Sequence, residues 1–154
     1  MNTRTHWLLP RNLVASAILL LCGCSSFKSV LYTSPDRDAE AKQFRPEAAR
    51  ATLYVVRDQM YLGDELLEVV VNEDSLAWTK GMTYFVTRVA PGRSVVTARG
   101  EKHVSLDVYT EPGRLYFVQI EVRPSVSTLH ATLRLVDDST GREAVSSCRR
   151  VEVE

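Results

Sequence analysis

Histidine and cysteine are scarce in this chain, with three of each among 154 residues. His6 lies in an N-terminal segment with the marks of a leader, so only His103 and His130 remain for the body of the chain. A protein metal centre takes three or four ligands, and two distant histidines with Asp137 or Asp138 make a thin set. The acidic residues at 137 and 138 also lack the alternating spacing of a calcium loop. Three cysteines cannot build a disulfide framework. Charge of one sign is missing as well: Lys+Arg and Asp+Glu both total 19, so nothing draws the chain toward nucleic acid. No G-x-S-x-G, P-loop or H-E-x-x-H motif occurs. Each histidine reads as a structural or solvent-facing strand residue, since a hydrolytic triad needs a nucleophile and an acid beside it. The expectation is a chain without catalysis, metal or cofactor.

A long hydrophobic run is absent too. The run "LVASAILLL" at 13–21 has nine residues, against about 20 needed to span a bilayer. It follows the basic, polar stretch "MNTRTHWLLPRN", the order found in a secretory signal peptide. Its end is more specific. "LCGC" (Leu21, Cys22, Gly23, Cys24) resembles a bacterial lipobox, with Leu at −3, Gly at −1 and Cys at +1. The resemblance implies cleavage between Gly23 and Cys24, a diacylglycerol thioether on the Cys24 thiol, and an acyl group such as palmitate on the new amino terminus. Two or more acyl chains anchor stably where one is marginal. Ser25 after the cysteine resembles the sorting pattern for the outer membrane of a Gram-negative-type cell, with the domain facing the periplasm. Removing Arg4 and Arg11 from the 19 basic residues leaves 17 against 19 acidic, too mild a balance to select a partner. Cys148 is then left without an intramolecular partner, and reads either as a buried thiol or as a site of intermolecular pairing.

Residues 24–47 are polar and charged, and read as a tether with a helical turn over 37–43. From Ala51 the period changes to that of strands. The segments 51–57, 65–72, 75–80, 83–89, 94–99, 103–109, 115–122 and 127–136 alternate or carry β-branched and aromatic residues. Turns separate them, including "APGR" at 90–93 and "EPGR" at 111–114. "DDSTG" at 137–141 reads as a further turn. "REAVSSCRRVEVE" fits a short helix, a last strand, or both. About seven to nine strands at this spacing predict an all-β domain over 48–154. It would be an antiparallel sandwich of immunoglobulin or transthyretin type, or a small barrel. The expected core is Leu53, Val55, Val69, Val71, Phe85, Val95, Leu106, Tyr116, Val118 and Ile120.

The stretches "ATLYVVR", "VVVN", "GMTYFVTRVAPGRSVVTAR" and "VSLDVYTEPGRLYFVQIEV" resemble DUF2846, a family of small bacterial lipoproteins with a domain of unknown function. The likeness covers about residues 48–123 and rests on the two PGR turns and the Tyr-Phe-Val strands. Arg93-Ser94 departs from the pattern, where a histidine often follows the first turn. The resemblance implies a lipoprotein with a β domain and no established catalytic residue. The two PGR segments also resemble each other, as two similar hairpins would.

One loop stands out. In "DQMYLGDE" (58–65), Met60, Tyr61 and Leu62 are apolar between strands, with Trp78 near in sequence. They serve either as a cap over the end of the sandwich or as an exposed contact surface. Arg149 and Arg150 fit either a solvated face or contacts to lipid headgroups or lipopolysaccharide phosphate. The sequence therefore predicts a lipid-anchored envelope protein that binds or scaffolds a protein or glycan of the envelope. Two alternatives stay open: a small-ligand or glycan-binding module, and an inhibitor of a periplasmic enzyme.

Overall fold

The computed structural model describes residues 28–124 and 129–154. The leader with Cys22, Gly23 and Cys24 lies outside the described residues, as do Ser25 and His6. Nine strands and two helices follow in the order α1 (Pro35–Ala41), β1 (Ala51–Arg57), β2 (Leu67–Val71), β3 (Ser75–Thr79), β4 (Thr83–Val89), β5 (Gly92–Arg99), β6 (His103–Thr110), β7 (Leu115–Pro124), β8 (Leu129–Val136), α2 (Asp138–Ser147) and β9 (Arg149–Arg150). They form two sheets, β8-β7-β1-β4-β9 and β3-β2-β5-β6. The fold is an all-β sandwich, and it does not close into a barrel. No helix among the described residues is long and apolar enough to cross a membrane.

The sheets are not purely antiparallel. β1 runs parallel to β7, and β4 runs parallel to β9. The two PGR turns are also not hairpin turns. Each carries the chain from one sheet to the other, from β4 to β5 and from β6 to β7. Gly92 (φ +120°) and Gly113 (φ +71°) hold the positive φ these crossings need.

The main core fills the space between the sheets, with Leu53, Val55, Val69, Val71, Phe85, Val118 and Ile120 all sealed from solvent. Leu106 and Tyr116 pack against it half-buried. Val95 does not belong to it. Val96 and Ala98 point inward instead, a slip of one residue within two adjacent valines. Asn72 sets the register: its Oδ1 accepts from the Val95 N–H at 2.7 Å, and its Nδ2 donates to the buried Ser94 Oγ at 3.2 Å.

β1 is buried along its whole length, because both faces of its sheet are covered there. A second core on the outer face joins Tyr54, Tyr84 and Phe117 to Ala144, Val145 and Cys148. The Tyr54 and Phe117 rings stack with centroids 5.1 Å apart, and Phe44 meets both from above. α2 provides that cover, so the expected turn at 137–141 is a helix start. Asp137 is its N-cap, with a carboxylate that accepts from the Thr140 N–H at 3.0 Å. Gly141 lets the helix sit directly on Phe117, since a Cβ there would overlap the ring. The C-terminal segment resolves as helix, then strand.

Residues 28–47 are part of the domain and not a tether. Val30 packs against the main core, Tyr32 bridges to Val151, and the Thr33 N–H donates to the Arg150 carbonyl at 3.1 Å. The helix at 35–41 starts on an N-cap Ser34 with Pro35 in its first turn, two residues earlier than expected. Polar composition hid three apolar contacts here, made by Val30, Ala41 and Phe44.

Candidate functional site

α2 covers one part of the outer face of the five-stranded sheet. Beside it lies a trough of about 630 Å³. Its floor is Thr52 and Tyr54 of β1 with Val86 and Arg88 of β4. One wall is the α1 face carrying Arg37, Glu40 and Ala41. Arg45 and Arg50 come from the loop after α1, and Arg150 closes the far side from β9.

Local folding explains each placement. Strand alternation sends Leu53 and Val55 to the core, so Thr52 and Tyr54 face outward. The Tyr54 hydroxyl donates to the Ala41 carbonyl at 2.7 Å and holds the end of α1 over the sheet. Asp38 ties α1 to β9. Its Oδ1 accepts from the Tyr84 hydroxyl at 2.9 Å and from the Arg150 N–H at 2.9 Å, and its Oδ2 accepts from Lys42 at 2.8 Å. Burial alone would raise the Asp38 pKa, but the hydrogen bonds from Lys42, Tyr84 and the Arg150 N–H outweigh it and hold the carboxyl below the usual range. Arg150 also donates from Nη1 to the Arg37 carbonyl at 3.0 Å.

The trough is rich in positive charge. Arg37 pairs with Glu152 at 2.6 Å and Arg88 with Glu47 at 2.6 Å, while among the described residues Arg45 and Arg50 make no salt bridge. Two donors in it are sealed from water without a partner: the Thr52 hydroxyl and Arg150 Nε. Thr52 is only 5% exposed. A buried polar group without a hydrogen bond costs free energy, and native structures hold few of them.

Two other cavities differ. A wider one of about 770 Å³ lies on the outer face of the four-stranded sheet, where Glu68 and Arg99 neutralise each other at 2.8 Å. His103 lies on its exposed edge. A small slot of about 210 Å³ at one end of the sandwich includes Arg57 and Leu67. The fully buried Arg57 guanidinium donates there to the Glu65 carbonyl at 2.6 Å and to the Leu62 carbonyl at 2.5 Å, pinning the loop between β1 and β2.

That loop divides the predicted contact residues. Leu62 packs against the main core, whereas Met60 is 81% exposed and Tyr61 64% exposed. So Leu62 caps, and the other two face solvent. The Gly81 N–H donates to the Gly63 carbonyl at 2.7 Å, and the two glycines touch so closely that a Cβ on Gly81 would strike Gly63. Trp78 is half-buried on the outer face of β3, opposite Glu68, with the Lys28 ammonium 4.8 Å from its ring centroid. His130 is exposed on β8, and the Ser105 hydroxyl bonds to Thr97 rather than to His103. Among the described residues, no three His, Cys, Asp or Glu side chains converge on a metal-sized site. Cys148 is 1% exposed, and burial pushes its thiol up to about 11.

Of the sequence candidates, only Arg150 reaches the trough. Arg149 points the other way, with its guanidinium 4.1 Å from the centroid of the Tyr32 ring. Thr52, Arg37, Arg45, Arg50 and Arg88 carried no motif. The "FRPEAAR" stretch at 44–50, with two arginines flanking a turn, was the one local signal.

The chain is 26% identical over 142 residues to a protein of Haemophilus influenzae described only as "Uncharacterized protein", covering 90% of this chain and 82% of that one. No protein-family model matches the chain. No solved structure matches it.

Proposed function

We propose that this chain is a lipid-anchored envelope protein of the outer membrane, facing the periplasm, whose β domain acts by binding another envelope component and not by catalysis. One observation carries the reading: "LCGC" at 21–24 ends a nine-residue apolar run behind a basic leader. The likeness to DUF2846 over 48–123 belongs to the same reading. His103 and His130 are both exposed, on strands of different sheets, which supports binding over turnover. The domain packing begins close behind the proposed anchor. Three residues lie between Cys24 and Lys28, four Cα–Cα steps with a reach of at most about 14 Å when fully extended. The domain is thereby held against the headgroup layer.

The test is the intact mass of the protein extracted from membranes. Loss of residues 1–23 with the added mass of a diacylglyceryl and an acyl group on Cys24 is expected, and Cys24→Ala leaves the unprocessed precursor. An unmodified Cys24 in the membrane-extracted protein would remove the anchor from this reading.

A further inference from the structure

We propose that the arginine trough between α1, β1, β4 and β9 is a binding site for a phosphate monoester group. The proposal rests on the reading that the β domain works by binding, and it names the chemistry of what is bound. Three observations carry it.

The first is charge. Five arginines line the trough, against Glu40 in its wall and Glu47 and Glu152 at its rim. That local excess occurs on a chain with no net charge, so it is a placement and not a compositional bias. Guanidinium groups present planar, paired N–H donors that match the oxygens of a phosphate, and they stay charged at every physiological pH.

The second is the pair of unpartnered donors. Thr52 lines the trough floor and is more than nine-tenths buried, and its hydroxyl, closed to water as it stands, meets no acceptor, so a ligand oxygen reaches it once the Thr52 side chain turns. Arg150 Nε is likewise sealed and unpartnered on the facing side. A hydroxyl and a guanidinium N–H both need an acceptor. A phosphate supplies several oxygens, whereas a cation or an apolar group supplies none. Asp38 does not compete for these donors. Its oxygens already accept from Tyr84, Lys42 and the Arg150 backbone.

The third is rigidity. The walls are fixed by the Tyr54 hydroxyl on the Ala41 carbonyl, by Asp38 across α1 and β9, and by the Arg150 guanidinium on the Arg37 carbonyl. The walls and the Arg150 guanidinium are therefore held in place before a ligand arrives, which lowers the ordering cost of binding, while Arg45 and Arg50 close on it from the exposed rim. The volume suits a phosphate with a small group attached, as typical ligand sites span about 300–1,000 Å³.

The source of the phosphate is either a free small phosphate ester or a lipid headgroup, and two probes separate them. The full-length protein in a neutral detergent is titrated calorimetrically with glycerol 3-phosphate. In parallel it is mixed with detergent micelles carrying phosphatidic acid, or diacylglycerol as the phosphate-free control. Saturable binding of at least one phosphate probe is expected. Arg45→Gln with Arg50→Gln should weaken it about tenfold or more. Thr52→Val should weaken it severalfold while leaving the melting temperature unchanged or raised, because the lost hydroxyl had no partner to lose. Arg93→Gln with Arg123→Gln, which removes the same charge elsewhere, should change nothing. Glycerol 3-phosphate binding identifies a free ester as sufficient. Binding of phosphatidic acid micelles alone, with the same Thr52 dependence, identifies a headgroup. No saturation by either probe overturns the proposal, as does a control double variant that loses as much, or binding indifferent to Thr52→Val. The mass on Cys24 is read separately, so failure of the anchor and failure of the trough cannot be mistaken for each other.

Discussion

Cys148 shows how position overrides residue type. An odd cysteine invites intermolecular pairing, yet this one sits under α2 with its Sγ 3.8 Å from the Arg57 carbonyl. Burial keeps it protonated, and the thiolate is the reactive form. We expect no reaction with a maleimide reagent in the native protein over hours, and full labelling in denaturant; rapid native labelling would show an open site. Asp38 makes the complementary case. Its folded pKa is depressed, so its contribution is present above the ordinary carboxylate pKa of about 3.9 and is lost as pH falls through the lower folded value. The melting temperature should therefore drop as pH falls below about 4, and Asp38→Asn should flatten that dependence while lowering stability at neutral pH. An unchanged acid profile in Asp38→Asn would assign the acid sensitivity to other carboxylates.

At the scale of elements, α2 is the piece most easily broken by one atom. Gly141 rests on the Phe117 ring, so Gly141→Ala must push the helix away even though alanine favours a helix. Overpacking of this kind costs about 1–3 kcal/mol, read as a shift in the denaturation midpoint. A midpoint that rose would mean the helix tolerates the shift. The same helix was the element least legible beforehand. Its buried residues are Gly141, Ala144 and Val145, too small and too few to print a helical period, and Asp137-Asp138-Ser139-Thr140-Gly141 has the composition of a turn. The strands were legible because Val, Tyr and Phe alternate between Pro-Gly and Asn-Glu-Asp breaks. Their pairing was not, since nothing local distinguishes β1 lying parallel to β7 from a run of hairpins. The trough was invisible for a related reason. Its arginines sit on α1, the following loop, β4 and β9, and a strand order is needed before they become neighbours. Thr52 looked like one more strand residue, and only its sealed, unanswered hydroxyl sets it apart.

For the molecule as a whole, the segment ahead of β1 matters as much as the sandwich. It passes Trp78 at Lys28, pairs with Val151 at Tyr32, and then forms a wall of the trough, so one stretch of chain serves both the domain core and the arginine-lined surface. The pairing of Tyr32 with Val151, the Glu152 N–H on the Leu31 carbonyl and the Arg37–Glu152 salt bridge lace the beginning of the described chain to its end. That lacing fixes the order in which the protein is able to mature. A ribosome delivers β1 early, but the strand beside it and the helix above it arrive much later, and the residues that clasp Tyr32 and Thr33 arrive last. Until those later residues are in place the sheet has no finished edge at β4 and no cover over β1, so neither sheet face can seal from the early strands alone.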